Sequence, residues 1–251
     1  MTDALLVEKR AGALWCTINR PKRRNALSAE VVERLLEALG SCKAEDGTRA
    51  IVITGAGDRA FCAGGDLSDS LSIKPENVAR GYADLLGAMV EAEVPIIGRI
   101  NGDCLGGGIG LVCCCDLAVA VDTARFSTPE VKLGLFPMII APLMERFVGP
   151  RLTREMIYAA RSITAQEAER AGLVNIAVER NLLDTTVESW IARISEASAH
   201  AIAAGRRELE RARWLAPWEN AENLSRAFGR LAEGEDARSR IAAFLARKQK
   251  A

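Results

Sequence analysis

Two segments of this 251-residue chain have the composition to bring main-chain N–H groups against a ligand. The first is Ala60-Phe61-Cys62-Ala63-Gly64-Gly65-Asp66-Leu67. The second is Asn101-Gly102-Asp103-Cys104-Leu105-Gly106-Gly107-Gly108-Ile109-Gly110. Glycine permits close approach of backbone, and a helix N-terminus leaves its first N–H groups open to an anion. Neither segment is a P-loop, because no Gly-Lys-Ser/Thr follows, and neither completes a dinucleotide fingerprint. Close packing alone also explains a triple glycine, so the loops offer donors without naming a ligand. Metal chemistry has little to work with. There are seven cysteines, three of them adjacent at Cys113, Cys114 and Cys115, with no C-x-x-C spacing and one histidine, His200. The thiols are expected to stay reduced and pack as small hydrophobes in a cytoplasmic protein, with His200 structural.

Each glycine segment follows a strand candidate. Ile51–Thr54 is a β-branched run entering Gly55-Ala56-Gly57-Asp58, and Pro95–Ile100 precedes the second segment. Leu14–Ile18 reads as an earlier strand, ending at Asn19-Arg20-Pro21. Leu27, Val31, Val32, Leu35, Leu36 and Leu39 form a helical stripe, with Ser28 as N-cap and Glu30 in the first turn. Helices are expected over Asn77–Glu91 and Gly106–Cys115, and a strand over Leu117–Val121. Alternation of this kind predicts an α/β fold with buried parallel strands. After Phe136 the pattern is mostly helical, with a capping box at Thr164-Ala165-Gln166-Glu167 and helical patterning from about Leu182 onward. The division expected is an α/β core over 1–190 and a helical region over 191–251, without a clear sequence repeat.

Composition narrows the function classes. Lys plus Arg and Asp plus Glu both number 33, and aromatic residues are 5%. Such a balance lacks the basic excess and the stacking platform that nucleic-acid binding uses. No signal peptide or membrane span is expected. Glu8, Lys9 and Arg10 interrupt the first residues, and the apolar runs 109–121 and 133–144 are short and broken by Asp116, Pro137 and Pro142.

The segments taken together are more specific than either loop alone. Their order is Asn19-Arg20-Pro21…Asn25-Ala26-Leu27, the two glycine segments, Cys115-Asp116, Phe126-Ser127-Thr128-Pro129-Glu130-Val131-Lys132-Leu133-Gly134-Leu135 and Ile163-Thr164-Ala165-Gln166-Glu167-Ala168…Gly172-Leu173-Val174. This succession resembles the enoyl-CoA hydratase/isomerase family, the crotonases. Ala243-Phe244-Leu245-Ala246-Arg247-Lys248 is similar to the family's C-terminal segment. The resemblance implies a ββα spiral core and a helical region that packs trimers, often paired into hexamers. It implies an oxyanion hole made by the N–H groups of Gly65 and Gly107, proton transfer by Glu130, and CoA contacts from Arg24, Ala63, Gly65, Asp66, Leu67, Gly107, Phe244 and Arg247. The substrate is then an acyl-CoA, with CoA part of the substrate and neither metal nor separate cofactor. The reaction expected is addition of water to an enoyl-CoA thioester, or movement of its double bond, through an oxyanion-stabilised enolate. One such backbone donor is typically worth about 3–4 kcal/mol.

The chain departs from the family's pattern at one informative position. Hydratases of the family use two glutamates; the second corresponds to Glu130, and the first falls on Gly110, which has no side chain. A single carboxylate suits an isomerase, or a hydratase whose water is held by other groups. Loss of turnover in an acyl-CoA-binding member is the third reading. Gly110→Glu is expected to restore the pair if its bulk fits, Glu145 is the reserve carboxylate, and Pro137-Met138 is expected to make the acyl pocket unusual.

Overall fold

The computed structural model describes residues 3–43, 46–66 and 74–211, with short stretches at 226, 228–230 and 233–239. Leu67, Phe244 and Arg247 lie outside the described residues.

Three successive ββα turns build the centre. β3 (Ala50–Gly55), β4 (Ala60–Cys62) and α2 (Pro75–Glu91) follow a first hairpin and helix, β1 (Leu5–Arg10), β2 (Ala13–Ile18) and α1 (Ala29–Ser41). Next come β5 (Ile96–Ile100), β6 (Asp103–Leu105) and α3 (Gly107–Cys113), then β7 (Leu117–Val121), β8 (Arg125–Ser127), a 3-10 turn (Pro129–Leu133) and α4 (Ala141–Tyr158). The first strand of each turn joins a six-stranded sheet ordered β1-β2-β3-β5-β7-β10, and the second joins a four-stranded sheet ordered β4-β6-β8-β9. β9 (Ile163–Thr164) and β10 (Ile176–Val178) are short strands within the region expected to be helical, flanking α5 (Ala165–Arg170). Pairings from β2 to β10 in the large sheet, and from β4 to β8 in the small one, are parallel.

Both faces of β2, β3, β5 and β7 at the centre of the large sheet are buried, which explains their apolar sequences. Along β3, Ile51 and Ile53 face the main core with Cys16, Ile18, Leu35 and Phe61. Ala50 and Val52 face the opposite way, with Trp15, Ile97 and Val119, and α6 (Leu183–Glu196) covers them through Leu183, Val187 and Ile191. The boundary expected at 190 falls inside this helix. Ser28 caps α1, its hydroxyl accepting from the Val31 N–H, and the capping box at Thr164 and Glu167 forms as expected. α7 (Ala199–Arg211) docks through Arg206, whose side chain is 8% exposed. Its Nε donates to both Asp116 oxygens at 2.9 Å, and its other nitrogens donate to the carbonyls of Met89, Val90 and Ala92 at the end of α2.

Among the described residues, no helix is long and apolar enough to cross a membrane.

Candidate active site

The glycine segments and the Glu130 turn leave the small sheet side by side. Gly65 lies three residues beyond β4, Gly107 two beyond β6, and Glu130 three beyond β8. Two buried asparagines fix the link from β3 into β4. Asn25 accepts from the Arg20 N–H and donates to the carbonyls of Ala56 and Ala60 at 3.0 and 2.7 Å. Asn101 accepts from the Gly55 N–H and donates to the Gly57 carbonyl. The segment around Gly65 is then clamped to residues 24–27. Leu27 N–H donates to Gly64 O, Asp66 N–H to Leu27 O, and Ala63 N–H to Arg24 O. The Arg20 guanidinium holds the Asp66 carboxylate at 2.6 Å.

A cavity of about 570 Å³ opens above these exits. Val32, Leu36 and Val78 wall it on one side, and Leu135, Pro137, Met138 and Ile140 on the other. Gly65, Gly107, Tyr82 and Glu130 all reach it. Two glycines are obligatory for close approach. Gly64 has φ +87°, and a Cβ there would stand 3.1 Å from both Gly107 N and Leu105 O. Gly106 has φ +50°, and its Cβ would meet Glu130 Oε1 at 2.7 Å. Among the described residues, no acceptor takes the N–H of Gly65 or Gly107. A Cβ on Gly107 would lie 3.6 Å from Gly65 N, so the two amides flank one small space.

Glu130 sits in the 3-10 turn, with Pro129 at its first position and Gly134 closing it. Its Oε2 is buried and has no hydrogen-bond partner among the described residues. Burial pushes the carboxyl above the usual glutamate range. A half-buried carboxylate with a free oxygen, facing a cavity with free amides, is equipped to take and return a proton.

The structure brings Gly65, Gly107 and Glu130 together and leaves several other expected residues outside the cavity lining. Ala63 and Asp66 give their N–H groups to neighbouring carbonyls, and the Asp66 side chain is turned to Arg20. Arg24, also beyond the lining, is exposed and pairs with Asp103 at 3.1 Å. Glu145 pairs with Arg154 on α4, away from the lining, and His200 is exposed on α7. Pro137 and Met138 do form cavity wall.

At Gly110 the space that Gly110→Glu would need is already taken. A Cβ there would stand 2.0 Å from the Tyr82 hydroxyl and 2.6 Å from Ile140 Cγ2. Gly110→Glu would therefore pair a second carboxylate with Glu130 only if the Tyr82 and Ile140 side chains moved aside. Tyr82 is also the site residue the sequence reading missed. Its spacing with Leu85, Leu86 and Met89 on α2 is that of a core stripe, and the signal was that one stripe member carries a hydroxyl.

Comparison with known proteins identifies the family. A family model described as enoyl-CoA hydratase/isomerase matches residues 8–251. The short-chain-enoyl-CoA hydratase of Clostridium acetobutylicum is 31% identical over 252 residues, spanning 98% of this chain and 95% of that protein. The 2,3-dehydroadipyl-CoA hydratase of Escherichia coli is 31% identical over 246 residues, spanning 97% and 96%. The crystal structure of an enoyl-CoA hydratase from Mycobacterium smegmatis superposes with a TM-score of 0.91 at 29% identity, covering 97% of this chain and 96% of that one. With the family model matching nearly the whole chain and relatives at 31% identity aligned over nearly their full length, this chain belongs to the enoyl-CoA hydratase/isomerase family.

Proposed function

We propose that the protein adds water across the double bond of a 2-enoyl-CoA carrying an apolar acyl chain. The observation that carries this reading is the unpartnered, buried Oε2 of Glu130 in the same cavity as the Gly65 and Gly107 amides. In this mechanism the thioester carbonyl accepts from both amides. As the water oxygen bonds the β carbon, Glu130 takes a water proton and the alkene electron pair moves onto the thioester oxygen. Glu130 then returns the proton to the α carbon as the enolate collapses. Preorganised donors aimed at a developing oxyanion supply much of such a rate enhancement.

The hydratase names of the relatives favour hydration over double-bond migration. An apolar acyl chain follows from the wall, because no described lining residue is basic. A distal carboxylate, as the name dehydroadipyl implies for the Escherichia coli relative, would meet no cation among the described lining residues. Arg24, with exposed Lys22 and Arg23 beside it, is the proposed contact for the CoA phosphates. CoA arrives with the substrate, and the mechanism calls on neither metal nor separate cofactor. A cytoplasmic setting suits the seven buried, free cysteines.

Incubation with matched 2-enoyl-CoA and 3-enoyl-CoA tests the assignment. The 2-enoyl thioester should be consumed with water uptake to a 3-hydroxyacyl-CoA. Migration of the 3-enoyl double bond without water uptake on either substrate would establish the isomerase reading instead.

A trimer or hexamer is the proposed assembly. Leu133, Leu135, Met138 and Tyr158 are more than half exposed around the cavity's outer wall, and the ring of Tyr158 lies 6.3 Å from that of Phe136. An apolar surface of this kind is usual where subunits meet. A monomeric mass by light scattering at micromolar concentration would reject it.

A further inference from the structure

Water addition needs a second polar group. Glu130 can take a proton, yet one carboxylate cannot also fix where the water oxygen stands. The polar side chains at the cavity besides Glu130 are Ser28, Glu33, Asn77 and Tyr82 among the described residues. Ser28 is committed to capping α1, and Glu33 and Asn77 are exposed at the rim. Tyr82 is half-buried, and its hydroxyl lies beside Gly110, the position at which the resemblance places the family's first glutamate. It reaches from α2 to donate its proton to the Gly107 carbonyl. That bond fixes the phenol and leaves its oxygen lone pairs to accept. The surrounding glycines show how tightly the position is held. Its Cζ would touch a Cβ on Gly107 at 3.5 Å, and its hydroxyl fills the volume beside Gly110. Glu130 Oε1 occupies the corresponding position against the adjoining Gly106.

On the hydration reading above, we propose that Tyr82 is a further catalytic residue: its hydroxyl accepts a hydrogen bond from the attacking water and orients it for Glu130. One water proton points to Tyr82 and stays on the oxygen. The other passes to Glu130 while the oxygen bonds the β carbon. The phenol keeps its own proton throughout, consistent with burial among Cys62, Cys114, Cys113 and Cys104, which raises its ionisation well above the ordinary tyrosine value.

The test separates water addition from α-proton chemistry. Exchange of the α hydrogens of a saturated acyl-CoA in deuterium oxide needs the amides and Glu130, and no attacking water. Tyr82→Phe should lower hydration of 2-enoyl-CoA by about 10²-fold, the usual penalty for a misplaced reactant. Exchange and acyl-CoA affinity by calorimetry should remain within a few-fold of wild type. Hydration at the wild-type rate would overturn the proposal. Parallel loss of hydration and exchange would also overturn it, since the hydroxyl would then only prop the Gly107 loop. Should Tyr82→Phe fail to fold, 3-fluorotyrosine in a Tyr158→Phe chain labels Tyr82 alone, as there are two tyrosines. Fluorination keeps the hydroxyl and weakens it as an acceptor, so hydration should slow while exchange does not; equal rates reject the role. Glu130→Gln is the control for the underlying reading: retention of both hydration and exchange there would refute the Glu130 assignment, independently of Tyr82.

Discussion

Glu130→Gln lowers hydration of a 2-enoyl-CoA by about 10²–10⁴-fold, the range expected when a general acid–base group is removed. The amide keeps the volume of the carboxyl beside Gly106, so saturated acyl-CoA should bind with nearly unchanged affinity. A fall in kcat without a matching rise in KM identifies a group that acts in the transition state. The pH profile gives a second reading of the same residue. Burial raises the Glu130 carboxyl, so the acid limb of kcat/KM should stand above the usual glutamate range, with activity lost as pH falls through it. Stability responds in the other direction. The folded state holds this proton more tightly than the unfolded chain does, so its contribution favours folding at low pH and is lost as pH rises through the raised value. Wild-type turnover in Glu130→Gln would send the proton-transfer assignment elsewhere.

Arg206→Met should cost about 3 kcal/mol, the lower end of what breaking a buried charge pair costs. The lower end applies because Asp116 is 31% exposed and keeps some contact with water. Methionine fills much of the same volume but leaves Asp116 and the last carbonyls of α2 without their donor. Asp116 also accepts from the Ile96 N–H at 2.7 Å, so the loss spreads to the start of β5. At about 2–4 °C per kcal/mol for a chain of this length, the melting temperature should drop by about 6–12 °C. Arg206→Lys should fall between, because it keeps the charge without the planar fork. An unchanged melting temperature in Arg206→Met would mean that α7 contributes little to the fold.

Elements with several periodic or β-branched residues were legible from sequence. The α1 stripe, the β3 run and the β7 run all appear where expected, and so does the capping box of α5. Strands β4, β6 and β8 have three residues each, too few for alternation to register. β1 was missed for another reason. It lies at the sheet edge and buries only Leu5, and its apolar residues Leu5, Leu6 and Val7 run on into Glu8, Lys9 and Arg10 without alternation. The turn after it rests on Ala11 and Gly12, both with positive φ, of which only the glycine signals a hairpin. Similarly, the ββα repetition leaves no sequence repeat, because each turn packs against different neighbours. At the site, Gly65, Gly107 and Glu130 came from the ordered resemblance of motifs. Tyr82 did not, since a tyrosine among Leu85, Leu86 and Met89 is indistinguishable from core packing until Gly110 is seen to leave room for its hydroxyl.

The exits of β4, β6 and β8 carry one further implication. Adjacent strands in a sheet stand about 4.7–4.9 Å apart, so the hydrogen-bond ladder acts as a ruler for the two amides and the carboxylate. Lateral spacing is inherited from backbone pairing and is insensitive to side-chain identity. Reach beyond the strand end is instead set by how many residues separate each group from its strand, at about 3.3 Å apiece where the chain is extended and about 2.0 Å in a 3-10 turn. A one-residue insertion between Ser127 and Glu130 would thus move the carboxylate by a bond length or two while the thioester-polarising amides stayed in place. A change of length at a single exit can accordingly retune which carbon receives the proton without rebuilding the hole.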